Sequence, residues 1–218
     1  TPQSGEIWFE GKQVTMRSPK TAIGLGIQMV HQHFMLVNHL TVAENIVMGE
    51  EPKRYGLFSK KRALQAVETL SRTYRQIEPS QLVGGLSVGA KQRAEILKAL
   101  YHGAKLLILD EPTAVLTPQE TQELFKVICR LRDDGKSVII ITHKLHETMQ
   151  IADEIYVMRH GKMVGHVQKA DTDVQALTRM MVDHELEPFI KTPCQAGQAL
   201  LELRDLSCRS AEGAMVLR

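Results

Sequence analysis

The chain has little of what marks several large protein classes. Only three of its 218 residues are cysteine, Cys129, Cys194 and Cys208. They lie far apart, with neither metal-ligand spacing nor a disulfide framework, a usage that fits a reducing compartment. No apolar run approaches the ~18 residues of a membrane-spanning helix. No signal-peptide pattern is present. The net charge is only +2, so no field of one sign argues for nucleic acid or anionic lipid as a partner. The initiator Met is also missing, and the chain opens in mid-phrase with TPQSGEIWFEGK. It reads as a piece of a longer protein. What remains is ordinary for a globular domain: 43% apolar and 24% charged residues. The length suffices for one α/β domain, or for one domain and part of a neighbour.

The strongest stretch is residues 105–117, KLLILDEPTAVLT. Leu106, Leu107, Ile108 and Leu109 form an unbroken apolar run, which predicts a strand buried on both faces of a parallel sheet. The run ends in two adjacent carboxylates, Asp110 and Glu111, and Pro112 stops the ladder. Open α/β sheets bind ligands at the carboxyl ends of their strands. Two acids placed there are costly to bury unless a cation and its phosphate compensate them. Such an acid can hold Mg²⁺, and its neighbour can orient an attacking water. Residues 138–141, VIII, predict a second buried strand that ends in Thr142, His143 and Lys144. His143 therefore lies at the same sheet edge as the two acids, where an imidazole can bind a phosphate or move a proton.

A third signal is LSVGAKQ, residues 86–92. Ser87 is a helix-capping residue, and Gly89 lets a backbone approach closely. A hydroxyl, a glycine and free helix amides together suit an anion. Earlier in the chain, residues 4–14 predict a hairpin, 18–25 a short helix and 27–30 a strand. Gln32 follows that strand end, where an amide can bind a metal ion or a water. His31, His33 and His39 make no metal site, because no acid or cysteine completes one. Thr41 and Glu44 form a capping box that opens an apolar helix. Residues 53–61 are basic and turn-rich, and 62–75 have amphipathic helical spacing. The span 50–78 thus predicts a helical insertion rather than sheet. Thr117, Pro118 and Glu120 open a further helix, on which Cys129 packs rather than reacts. Residues 154–158 predict a third strand, turning into 163–168, and 174–182 a closing helix. Residues 187–197 read as a linker, and 199–206 as the strand that opens a new domain.

Together these stretches resemble the ATPase cassette of ABC transporters, a P-loop NTPase-type α/β fold with a central, mainly parallel sheet and a helical subdomain. LSVGAKQ is similar to the signature motif, and LLILDEP to the Walker B strand with its catalytic Glu. Residues 141–143 are similar to the switch-histidine loop, and Gln32 to the Q-loop glutamine, followed by LTVAENI. The resemblance covers residues 1–182. Thr117 stands where most cassettes carry Asp, and TAVLTPQE is in the style of importers of simple sugars or nucleosides. Those importers carry two cassettes in one polypeptide, and residues 200–218 resemble the start of a second. MVHQHFMLV and ITHKLHE look closer to the nucleoside type.

The resemblance implies a division into a first cassette (1–186, helical subdomain about 36–100), a linker (187–198) and the start of a second cassette (199–218). It implies ATP held between two cassettes facing head to tail. Asp110 would hold Mg²⁺ through water, Glu111 would polarise the attacking water, and His143 would contact the γ-phosphate. Gln32 would touch Mg²⁺ or the water and couple the site to a membrane subunit. Ser87 and Gly89, with Gln92 in the same motif, would take the γ-phosphate of ATP held by the opposite cassette. Implied partners are transmembrane permease subunits, the second cassette and, indirectly, a periplasmic or lipoprotein substrate-binding protein, without nucleic acid. The implied location is peripheral, at the cytoplasmic face of the plasma (inner) membrane. The alternatives are a non-catalytic regulatory or interaction piece, or a soluble ABC ATPase outside transport.

The chain departs from the family in one respect that matters. No G-x-x-x-x-G-K-[ST] occurs in it, so the β-phosphate has no cradle here and the γ-phosphate no lysine. In the family that loop would lie just before TPQSGEI, so truncation at the N-terminus is expected, and the adenine-stacking aromatic would be missing with it. Gly84 and Gly85 also replace the charged or polar run that usually precedes the signature.

Overall fold

A computed structural model describes residues 2, 4–74, 77–182, 197–198, 201–202, 204–209 and 215–217. The chain divides into two units, Thr1–Val182 and Asp183–Arg218.

The first unit opens with the expected hairpin, β1 (Ile7–Phe9) and β2 (Lys12–Val14). Helix α1 (Pro19–Gly24) follows, capped by the Ser18 hydroxyl with Pro at its start. Gly26 then takes φ 84°, and a Cβ on it would lie 3.1 Å from the Gly103 carbonyl oxygen. That close approach lets Lys105 N–H donate to the Gly26 carbonyl and sets the register of the strands that leave both points. Strand β3 (Ile27–Val30) comes next, then α2 (Val42–Val47), a small ribbon of β4 (Lys53–Arg54) and β5 (Leu57–Phe58), and α3 (Lys60–Tyr74). The ribbon corrects the expectation of a wholly helical insertion: Tyr55 and Gly56, both at positive φ, close a two-residue hairpin. Helix α4 (Val88–Tyr101) leads to β6 (Leu106–Asp110), α5 (Pro118–Asp133), β7 (Ser137–Ile141), α6 (Leu145–Ile151), β8 (Glu154–Arg159), β9 (Lys162–Gln168) and α7 (Val174–Met181).

Strands β3, β6 and β7 form a parallel sheet with β6 in the centre. The expectation of burial on both faces holds for one face only. Leu107 and Leu109 are fully buried there beside Val30 and join α4 and α5 in the main core. On the other face Met29, Ile139 and Ile141 remain 41–48% exposed. The predicted third strand, β8, pairs antiparallel with β9 through the expected hairpin turn at residues 159–162, outside this sheet, and Ile155 and Val157 pack with Leu177 of α7 in a separate small core.

Helices α2, α3 and α4 pack on one another. Buried Asn45 fixes the way in: its Oδ1 accepts from Val37 N–H at 2.7 Å, and its Nδ2 donates to the carbonyls of Val37 and Thr41. Residues 79–84 lie along this segment, with Val83 N–H donating to Leu40 O and Gly84 N–H to Asn38 O. In the second unit, β10 (Cys208–Arg209) pairs antiparallel with β11 (Met215–Leu217). The predicted strand at 199–206 is corrected, since residues 201–202 and 204–206 are not strand and the rest lie outside the described residues. Most of the predicted linker lies outside them as well.

The cap of α2 responds to pH. Thr41 N–H and hydroxyl donate to Glu44 Oε2 at 2.8 and 2.7 Å, and Lys60 stands 3.1 Å from Oε1. The backbone hydrogen bond above all, then the hydroxyl and the Lys60 ammonium, hold this carboxyl below its ordinary value. A group lowered by folding stabilises above its unfolded pKa and loses that contribution as pH falls through the folded one. Glu44→Gln, which keeps the capping-box shape, is therefore expected to cost on the order of 1 kcal/mol at pH 7. Urea melts at several pH values should show the difference persisting above pH ~4.5 and closing below it.

Candidate functional site

The parallel register brings three chain segments to one edge. Val30 ends β3 level with Leu109, and Asp110 ends β6 level with Ile141. The backbone then continues one step further, because Glu111 N–H donates to Ile141 O at 2.9 Å. Glu111 adopts φ 45°, a left-handed conformation that non-glycine residues hold mainly where the surroundings enforce it. Here the β7 carbonyl and the buried Pro112 and Thr113 enforce it.

From this turn Glu111 Oε1 meets His143 Nδ1 at 2.7 Å. The histidine side chain is 72% exposed and the glutamate side chain 20% exposed. The other carboxylate oxygen, Glu111 Oε2, is buried without a hydrogen-bond partner. Such an atom costs about 1–3 kcal/mol relative to a satisfied one. It is a buried acceptor that no protein donor satisfies.

Sequence reasoning missed the network that holds this pair. Lys144 Nζ donates to Thr113 O at 2.8 Å and stands 3.2 Å from Glu147 Oε1, and the Thr113 hydroxyl donates to Glu147 Oε2. These bonds staple the turn after β6 to the start of α6 and so fix Glu111 relative to His143. Glu147, four residues after His143 in the first turn of a predicted helix, was the available signal. Glu95 was also missed: it accepts from Met35 N–H at 2.6 Å and ties the loop after Gln32 to α4.

Gln32 follows β3 at the same edge and is exposed. Ser87 caps α4, with its oxygen accepting from Ala90 N–H. Ser87 and Gly89 meet α5 through Glu120 and make no hydrogen bond to Asp110, Glu111 or His143. Gln92 is set apart from them, 4% exposed on the face of α4 that carries Glu95 and Ile96. The edge thus gathers Gln32, Asp110, Glu111 and His143, whereas exposed Ser87 and buried Gly89 lie together at the start of α4, apart from it. A groove of about 630 Å³ between α5 and α6, lined by Gln122, Cys129 and Arg130 among others, contains none of these residues.

The edge suits a magnesium-bound nucleotide. Among the described residues no three His, Cys, Asp or Glu side chains stand close enough to form an all-protein metal cage. Mg²⁺ is commonly bound by one or two carboxylates together with substrate phosphates and water. Asp110 at the strand end, with the exposed Gln32 after β3 at the same edge, fits that mode.

An α/β cassette with an acidic strand end and a histidine across from it defines the class, and comparison with known proteins agrees. Residues 1–114, just over half of the chain, match the family model described as ABC transporter; the chain belongs to that family. It is 43% identical over its whole length to the nucleoside import ATP-binding protein NupA of Lactococcus lactis subsp. cremoris. It is 46% identical over its whole length to the guanosine import ATP-binding protein NupO of Bacillus subtilis. A putative ribose/galactose/methyl galactoside import ATP-binding protein of Burkholderia lata is 42% identical over 93% of the chain. The chain spans 41–43% of the length of these relatives. Among solved structures, a nucleotide-free ATP-binding cassette from an ABC transporter superposes with a TM-score of 0.69 at 22% identity, over 84% of this chain and 78% of that one. This likeness supports the cassette fold.

Glu147→Ala removes one carboxylate from both Lys144 and the buried Thr113 hydroxyl. The expected loss is about 1–3 kcal/mol, read as a lower urea midpoint. The ring resonances of His143 should shift at the same time, because the turn opposite it is no longer stapled.

Proposed function

We propose that this chain is part of the ATP-hydrolysing subunit of an ABC importer that couples ATP binding and hydrolysis to uptake of a nucleoside or simple sugar. The observation that carries the chemistry is the Glu111–His143 contact with Glu111 Oε2 left without a protein donor. The names and identities of the relatives support the import role.

In this reading ATP lies between two cassettes. When bound, Mg²⁺ supplies neutralisation of the charge that develops on the β- and γ-phosphates; Asp110 and Gln32 are the residues that would hold it. Glu111 Oε2 accepts a hydrogen bond from the attacking water and orients its lone pair towards the γ-phosphorus. His143 is held through Nδ1, which leaves Nε2 for a γ-phosphate oxygen. Where Nε2 carries a proton, it can donate to that oxygen. Ser87 and Gly89 take the γ-phosphate of the nucleotide held by the opposite cassette, with Gln92 supporting the motif from within α4. The protein positions groups and stabilises charge rather than forming covalent bonds.

No helix among the described residues is long and apolar enough to cross a membrane. Permease subunits are the proposed membrane partners, with a substrate-binding protein reached indirectly. The second cassette is proposed to lie in the same polypeptide, and the assembly to be peripheral at the cytoplasmic face.

Two outcomes test this reading by phosphate release. In the assembled transporter, Glu111→Gln should lower turnover by at least about 10²-fold while ATP still binds. The 218-residue chain alone, without a phosphate loop, should neither bind ATP tightly nor hydrolyse it. Turnover by that chain, abolished by Glu111→Gln, would overturn the second expectation.

A further inference from the structure

One side chain has no role in the mechanism above yet contacts Ser87 and Gly89. Glu120 stands in the first turn of α5 and forms a capping box with Thr117. Its Oε2 accepts from Thr117 N–H at 3.1 Å and from the Thr117 hydroxyl at 3.2 Å. Its Oε1 leaves α5 altogether. It accepts from the Ser87 hydroxyl and from Gly89 N–H, both at 3.2 Å. One carboxylate thus bridges the starts of two helices, 33 residues apart in sequence, where both helix dipoles favour negative charge.

Gly89 is required for this contact. A Cβ at residue 89 would lie 2.5 Å from Glu120 Oε1, so any side chain there would expel the carboxylate. Hydrogen bonds from Thr117 first, and also from Ser87 and Gly89, hold the carboxyl below its ordinary value. It is an anion at neutral pH.

The hydroxyl and amide that Glu120 uses are the same two groups assigned above to the γ-phosphate. We infer that Glu120 is a built-in competitor for the phosphate site of LSVGA: its carboxylate fills the Ser87–Gly89 donor pair until the terminal phosphate of a nucleotide displaces it. The inference rests on the proposed role of Ser87 and Gly89. Two anions cannot share the pair, because like charges so close repel and the donors are too few. The bonds to be broken are long, at 3.2 Å, so the carboxylate can leave by a side-chain rotation while Thr117 still caps α5. Glu120 lies nine residues after Glu111 in one continuous loop and helix start. Glu120 acts here as a positioning residue and touches no reacting atom.

Glu120→Gln is the informative variant, since glutamine also completes a capping box but carries no charge. In the assembled transporter, affinity for a non-hydrolysable ATP analogue and for ADP is measured by equilibrium binding, with Ser87→Ala in parallel. The expected result is about fivefold tighter binding of the analogue, unchanged ADP binding, and weaker analogue binding in Ser87→Ala. Glu120→Ala, which also loses the cap, should show the same gain for the analogue relative to ADP. If Glu120→Gln leaves analogue affinity unchanged or weakens it while Ser87→Ala weakens it, the competitor role is overturned and the phosphate role of Ser87 stands. If Ser87→Ala also has no effect, both fall.

Discussion

The site depends on the register of one strand. Strand β6 lies between two parallel neighbours, and the ladder fixes Leu109 opposite both Val30 and Ile140. Because all three strands run the same way, their ends come out together, and the residues that follow each strand are gathered without any long-range search. Asp110, Glu111, Gln32 and His143 come from three distant parts of the chain. A slip of one residue in either pairing would turn Leu107 and Leu109 out of the core. The core therefore enforces the geometry of the site.

Apolar burial sets the edge but not the last ångströms. Glu111 meets His143 at 2.7 Å because a left-handed turn redirects the chain after the strand and a Thr113–Glu147–Lys144 network holds the turn against α6. This is the usual division between a scaffold and the polar contacts that refine it. The strained backbone and the unpartnered Glu111 oxygen fall on one residue, in keeping with function retained against local cost.

Much of this was legible in the sequence because its causes are local. The apolar run of 106–109, the boxes at Thr41 and Thr117 and the cap at Ser87 each follow from neighbouring residues, and each appears at its expected place. Three things were not legible. The bare face of the sheet carries Met29, Ile139 and Ile141, as apolar as the covered face, so composition could not tell the two apart. The separation of β8 from the central sheet was hidden, since an alternating strand looks the same in either sheet. Contacts such as Glu120 to Gly89 and Glu95 to Met35 join residues 31 and 60 positions apart, and no periodicity encodes them.

The bond between Glu95 and Met35 has a mechanical meaning. Glu95 is only 9% exposed, and its carboxylate is joined to a backbone amide at 2.6 Å. Pulling the loop after Gln32 away from α4 would leave that buried side chain without its partner, at a cost of about 1–3 kcal/mol. The bond ties the loop that follows Gln32 to the helix that Ser87 caps, so two segments separate in sequence share one polar anchor in the middle of α4.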